Sequence, residues 1–243
     1  MEDKDLYEGQ TLIATMTEVE TDTEIARFEY RLVAAPAGAD APEGMPALTP
    51  ELISESWITP EAKALNAPPE GGVESKADTA LEVTKFAWYF IKDNKPVSDA
   101  KDTTTSIILK DTDPLDYQMA KDTQSSTIQL KIHDSLFKDW ILVDTKARLE
   151  GTYHATPSKD DMAFGHYIPA LHFNVTNIKV DWPISLNAHA EVSPPSNKGP
   201  KDNVQPQVKL TAKFKVHWLF QTMTFSAGFT ANGLTGFRFN GWN

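Results

Sequence analysis

The sequence predicts an all-β fold, an antiparallel β-sandwich or barrel of about ten strands. Three observations support this prediction. Apolar and polar residues alternate with a period of two in most segments. Short clusters of Gly, Pro, Asp and Asn separate these segments, as turns do. The length of 243 residues fits one β domain, which we place at 1–243.

The first strands come from the N-terminal quarter of the chain. In EIARFEYRLVA the apolar Phe28, Tyr30 and Leu32 alternate with Glu29 and Arg31, which is typical of a half-buried strand. The preceding TLIATMTEV is its predicted hairpin partner. Further strands are predicted in ALEVTKFAWYFI, TTSIILK, STIQLKIH, WILVDTKARLEGTY, PALHFNVTNIKVDW and ISLNAHAEV.

One of these strands changes phase part-way along its length. In PALHFNVTNIKVDW the first apolar set is Leu171, Phe173 and Val175, whereas the next begins at Ile178. The alternation slips by one residue near Thr176-Asn177. A β-bulge absorbs a slip of this kind, so we expect a bulge there.

The segment 35–79 breaks the strand pattern, because it contains seven prolines and few strand-forming residues. We interpret it as a Pro-rich strap or insertion. Thr49-Pro50-Glu51 and Thr59-Pro60-Glu61 each resemble a helix start, which predicts short helices at about 50–56 and 60–66. Trp57 and Leu52 are the expected anchors of the strap. A second Pro-rich loop is predicted at 193–206.

The C-terminal segment 207–243 is predicted to form a core strand followed by a hairpin. Lys209, Lys213 and Lys215 fall on the solvent side of the strand, so their positive charge requires no nucleic acid. Asn232-Gly233 predicts the hairpin turn. We expect Trp242 to be packed rather than frayed, either on this domain, on the acidic N-terminal third, or on a neighbouring molecule.

Composition excludes several classes of function. The chain has no cysteine, so disulfides, thiolate metal sites and a cysteine nucleophile are excluded. Its net charge is −11, and the charge is asymmetric: residues 1–80 contain 17 acids and 5 bases, whereas residues 197–243 contain 6 bases and one acid. The N-terminus lacks the pattern of a signal peptide, and no segment is apolar enough to span a bilayer. We expect a cytoplasmic protein, or one released in an assembly.

The best enzyme-like constellation lies in TYHATPSKDDMAFGHYIPALH. His154, Asp161, His166 and Tyr167 could form a catalytic or ligand-binding group there, because a carboxylate can orient a histidine for proton transfer. No nucleophile motif accompanies these residues, and a solvated turn explains them equally well. The His172–Asn174 and His189–Glu191 pairs offer too few donors for a metal, so we predict no metal site and no cofactor.

We therefore predict a non-enzymatic interaction protein, acting as an assembly subunit or a binding module. The predicted partner-binding residues are Trp57, Arg238, Phe239 and Trp242. A protein partner or self-association is expected, and nucleic acid and stable membrane spanning are not. Two alternatives stay open. One is a ligand-binding or catalytic barrel with its pocket near His154, Asp161 and His166; the other is a pore-forming or lipid-active protein that uses the Thr/Ser-rich C-terminal hairpin.

Overall fold

The structure is a computed structural model that describes residues 6–36, 47–57, 81–89, 98–109, 113–157, 166–181, 184–200, 203–218 and 221–242. These residues form strands and no α-helix; one 3₁₀ turn occupies Pro114–Asp116. The strands are β1 (Thr11–Glu18), β2 (Thr23–Ala34), β3 (Leu48–Trp57), β4 (Leu81–Tyr89), β5 (Ser98–Leu109), β6 (Tyr117–Gln118), β7 (Lys121–Gln124), β8 (Ile128–Asp134), β9 (Ile141–Tyr153), β10 (Thr156–Pro157), β11 (Ile168–Val180), β12 (Ser185–Val192), β13 (Ser196–Asn197), β14 (Pro206–Trp218), β15 (Gln221–Asn232) and β16 (Gly236–Trp242).

Most strands belong to a single sheet, in the order β16-β15-β14-β12-β5-β11-β9-β8-β1-β2-β3. We call β3 to β11 on this path the first arm and β12 to β16 the second arm, and β5 connects them. The strand pairs are antiparallel, except for the parallel pair of β5 and β12. The terminal strands β3 and β16 are not paired with each other among the described residues, so the sheet is not a closed barrel.

The two arms share one apolar interior. Rings cross from arm to arm, with centroids 5.9 Å apart for Phe28 and Phe225 and 6.3 Å apart for Phe173 and Phe229. The indole Nε1 of Trp218 donates a hydrogen bond of 3.0 Å to the carbonyl of Leu48. The antiparallel all-β prediction is therefore confirmed, with the buried face of each strand supplied by its alternating apolar residues.

Two local sequence predictions are confirmed. The register of β11 against β9 shifts between Val175 and Asn177, so Thr176 is the extra residue of a bulge. The Asn232-Gly233 pair lies at the β15–β16 hairpin, although the turn is longer than two residues. Asn232 Oδ1 accepts hydrogen bonds from the amides of Leu234 and Thr235, and Gly236 closes the turn with φ +84°.

The chain terminus is held by a second bulge. Phe239 and Trp242 are three residues apart, so simple alternation would place them on opposite faces. The register of β16 shifts at Asn240, which brings Trp242 opposite Ala227 and onto the inner face. There its ring lies 5.6 Å from that of Phe214, with 0% of the residue exposed. Trp242 therefore packs on its own domain, the first of the three expected locations.

The prediction of two short helices is wrong where it can be compared. Residues 48–57 form β3, which pairs with β2 from Leu48 opposite Ala34 to Trp57 opposite Ala26. Thr49-Pro50-Glu51 resembles a helix start only locally, whereas the open edge of β2 offers hydrogen bonds along the whole segment. An edge strand also tolerates a proline. The second predicted helix, 60–66, lies outside the described residues.

The predicted domain boundaries stay predictions. Within the predicted strap 35–79, the structure describes β3 and the residues directly beside it. Within the predicted loop 193–206, the short strand β13 pairs with the start of β14. No described strand pairs with β3 on its outer side.

Replacing Trp242 by alanine should destabilise the protein by about 3–5 kcal/mol, because it opens a large cavity in the shared interior. The matched control is Arg238→Ala on the same strand, which is exposed and should change stability by less than about 0.5 kcal/mol. Urea unfolding of both variants measures the difference. Equal stability of the two variants would show that the C-terminal strand is not packed as described.

Candidate functional site

One end of the shared interior brings together the two histidines of the predicted enzyme-like constellation. His154 follows β9, and His166 precedes β11. The amide of His154 donates to the carbonyl of Gly233 in the β15–β16 turn (2.9 Å), and the amide of His166 donates to the carbonyl of Val204 just before β14 (2.8 Å). We call His154, His166 and Gly233 the histidine corner. It joins the first arm to the second through backbone hydrogen bonds.

The two imidazole rings of the histidine corner are stacked. Their centroids are 4.3 Å apart and their planes differ by 24°. His154 has φ 60°, a left-handed conformation that a residue with a β-carbon rarely adopts and that costs about 1–3 kcal/mol. The ring of Tyr153 meets that of His154 edge-on at 6.2 Å. The stack is therefore held by the surrounding backbone rather than by an intrinsic preference of His154.

Burial and neighbouring charges disfavour the protonated form of His166. Burial lowers the pKa of His166 below its ordinary value, and the nearby His154 and Lys121 lower it further. The Nδ1 atom of His166 has no hydrogen-bond partner among the described residues. A lowered pKa means that the protonated form of His166 releases its proton readily, but no described carboxylate orients the ring.

Tyr167 faces a different environment from His166, its neighbour in the chain. It is buried in a small second apolar cluster with Ile108, Tyr117, Ala155 and Val204. Burial, followed by the effect of Tyr117, raises the pKa of Tyr167 to about 12. Its hydroxyl has no hydrogen-bond partner in the described part of the chain. A phenol with this pKa stays protonated near neutral pH and cannot act as a general base there.

The predicted constellation is thus assembled only in part. The structure brings His154 and His166 together, separates the Tyr167 ring from them, and leaves Asp161 outside the described residues. Among the residues that are described, no three His, Asp or Glu side chains cluster as metal ligands would. The stack is compatible with binding or proton uptake, and none of the described residues places a reacting group beside it.

The four predicted partner-binding residues occupy different environments. Trp242 is buried, and Phe239 is half-buried with its ring 5.5 Å from that of Phe229. Arg238 is exposed. Trp57 is half-buried at the end of β3, where its ring meets Phe28 edge-on at 5.7 Å. The partner-binding role of all four stays a prediction.

The lysines of β14 lie on the solvent side of the strand, as the alternation predicts. Its other face is buried from Val208 to Trp218. Lys213 Nζ forms an ion pair of 2.6 Å with Glu191 on the neighbouring β12. An exposed pair of this kind contributes little to stability.

Sequence reasoning missed a further feature, the turn between β8 and β9. We call Ser135–Asp139 the hairpin tip. It directly follows Asp134, a fully buried carboxylate whose Oδ1 accepts hydrogen bonds from the amides of Leu136 (2.8 Å) and Phe137 (2.6 Å). The other oxygen accepts Gln10 Nε2 at 2.7 Å. The detectable signal was Asp134 placed two residues before a pair of large apolar residues, because aspartate caps turns of this kind.

The hairpin tip presents its apolar side chains to water. Leu136 is 74% exposed and Phe137 is 57% exposed. Tyr7, also exposed, is connected to the same frame, because its amide donates to Gln10 Oε1. Lys138 and Asp139 complete the tip with opposite charges. The result is an apolar, locally neutral protrusion with a fixed backbone.

No protein-family description matches this chain, and no curated protein or solved structure shows significant similarity to it. In the part of the chain that the structure describes, no helix has the length and apolar character needed to cross a membrane.

Substituting Gly233 by alanine tests the close approach at the histidine corner. A β-carbon there would lie 1.6 Å from the carbonyl oxygen of His166, so the backbone must shift. We expect a loss of about 3 kcal/mol or more in the free energy of unfolding.

Gly9→Ala is the matched control for this substitution. Gly9 has φ +86° but nothing within 4 Å of the added carbon, so only backbone strain of about 1–2 kcal/mol applies. Chemical denaturation compares the two variants. A smaller loss for Gly233→Ala than for Gly9→Ala would contradict the described packing of the corner.

Proposed function

We propose that this protein is a non-enzymatic β-sandwich that works by protein–protein interaction, as an assembly subunit or binding module, and that it docks through the hairpin tip. The observation that supports the proposal most directly is the buried Asp134 beneath the exposed Leu136 and Phe137. The sandwich description rests on the two arms that pack across one interior.

Burial of the Asp134 carboxylate opposes folding, so a gain in stability does not explain the tip. Taking a carboxylate out of water carries a large penalty that three hydrogen bonds offset. The product of those bonds is a turn that holds two large apolar side chains mostly in water, where much of their apolar area contributes nothing to folding. A partner that buries both side chains would recover that energy on binding.

The fixed backbone of the tip also favours binding. A turn already held in one conformation loses little entropy when it docks, so more of the contact energy appears as affinity. Because Lys138 and Asp139 offset each other, the tip avoids the repulsion that a chain of net charge −11 exerts on acidic partners. A convex apolar tip of this kind fits a concave site on the partner.

The two alternative functions have weaker support. A catalytic site would need the Tyr167 hydroxyl or an acid beside the imidazole pair, and neither is found among the described residues. A C-terminal hairpin that inserts into lipid would need its row of apolar side chains to be exposed. Instead Met223, Phe225, Ala227 and Phe229 are buried in the shared interior.

The double substitution Leu136→Ser with Phe137→Ser should abolish association without unfolding the domain. Leu115→Ser is the control, since Leu115 is 90% exposed but lies on the 3₁₀ turn, outside the tip. Sedimentation velocity of the pure protein measures self-association. Affinity capture followed by rebinding of the purified partner measures binding to other proteins. We expect at least about a tenfold weaker interaction for the tip variant alone.

Two results would overturn the proposal. One is equal association of the wild type and the tip variant in both assays. The other is tip-dependent binding of the wild type to phosphatidylcholine vesicles, which would make the partner a lipid surface instead of a protein.

A further inference from the structure

The histidine corner lies at the seam where the two arms meet. The amides of its two histidines donate hydrogen bonds across this seam. His154 donates to Gly233, Gly233 donates to Pro206, and His166 donates to Val204. His154 and His166 lie beside strands of the first arm, whereas Gly233, Val204 and Pro206 belong to the second. The carbonyl of His166 also lies directly against Gly233. Any movement that separates the two histidines therefore strains the contact between the arms.

The stability of the imidazole stack depends on how many of its two rings are protonated. Two neutral rings, or one neutral and one protonated ring, tolerate a centroid separation of 4.3 Å. Two imidazolium ions at that separation repel each other, and partial burial reduces the screening by water. Histidine changes its charge in the pH range that cells use, so this change is accessible without harsh conditions.

The described groups around the stack offer little compensation for a second positive charge. Strand β7 contributes Lys121, which is opposite Tyr153 in the register, and then Asp122. The β15–β16 turn from Asn232 to Gly236 and the segment 203–206 contain no ionisable side chain. Strands β6 and β9 contribute the phenols of Tyr117 and Tyr153, and Tyr167 precedes β11; none of these phenols gains charge in acid. Among the charged groups of the described residues, His154 and Lys121 act on His166, and both oppose its protonation.

We propose that the histidine corner is a pH-sensitive latch, in which protonation of both imidazoles breaks the stack and opens the seam between the two arms. The closed state, with its stacked rings, is the form at neutral and alkaline pH. The open state is the form in mildly acidic medium. This equilibrium between two local conformations needs no ligand other than the proton.

The direction of the pH effect follows from the depressed pKa of His166. Burial, His154 and Lys121 lower this pKa in the closed state, so the closed state binds fewer protons than the open state. Stability of the seam is therefore fully present above the ordinary pKa of histidine. It is lost as the pH falls from that value through the lowered pKa of the closed state.

The latch is independent of the proposed docking site. The hairpin tip precedes Ile141, at one end of β9, whereas the histidine corner follows Tyr153, at the other end. A strand of this length spans roughly 40 Å. Opening the seam therefore leaves the Asp134 frame intact, and failure of the docking proposal would not affect the latch.

Amide hydrogen exchange at pH 7.5 and pH 5.5, corrected for the intrinsic rates, tests the latch on the full chain. The reporters are the amides of His154, His166 and Gly233, with Leu210 in the core of β14 as the reference. In the wild type we expect protection of the three corner amides to fall by about tenfold at the lower pH while Leu210 keeps its protection. Loss of protection at all four amides would indicate global unfolding and would contradict a local latch.

The variants His154→Gln and His166→Gln remove one titrating group each and keep a polar side chain. Either one should retain corner protection at pH 5.5, so the test survives if one of them fails to fold. His217→Gln is the matched control, because His217 is half-buried on the solvent side of β14 and its Nδ1 contacts Thr222 instead of the corner. The proposal is overturned if the wild-type corner shows no pH dependence, or if both Gln variants lose protection as the wild type does.

Discussion

The packing of one sheet across its own apolar interior is the constraint on which the other features depend. The first and second arms are parts of the same hydrogen-bonded path, and neither arm can bury its apolar face without the other. Phe28 with Phe225, and Phe173 with Phe229, are the ring contacts that connect them. This packing leaves the functional candidates at the two ends of the strands. The histidine corner lies at one end of β9 and the hairpin tip at the other.

Much of this architecture could be predicted because a strand in a two-layered fold has a period of two. The buried row of β14 and the bulge at Thr176 both follow from counting apolar residues along the sequence. The sequence predicts that the terminal Trp242 is packed. It does not predict the face of the sheet on which Trp242 packs, because the bulge at Asn240 reverses the face that simple alternation assigns. A bulge is visible in sequence only where apolar residues continue on both sides of it.

Other features depend on contacts between distant segments, which local patterns do not report. Thr49-Pro50-Glu51 has the residues of a helix start, but the free edge of β2 determines its conformation. The sequence places His154 and His166 near each other, yet not in a stack against Gly233, a residue far along the chain. In the same way, Asp134 has the features of an ordinary turn residue in the sequence. Its burial and the hydrogen bond that it accepts from Gln10 are seen only in the structure.

A double-mutant cycle between Phe28 and Phe225 tests the shared interior most directly. The two single variants Phe28→Leu and Phe225→Leu, and the double variant, are unfolded in urea beside the wild type. Because these rings lie on different arms with centroids 5.9 Å apart, we expect a coupling energy of about 0.5–1.5 kcal/mol. Additive losses, with a coupling energy indistinguishable from zero, would mean that the two arms do not pack against each other across a shared interior.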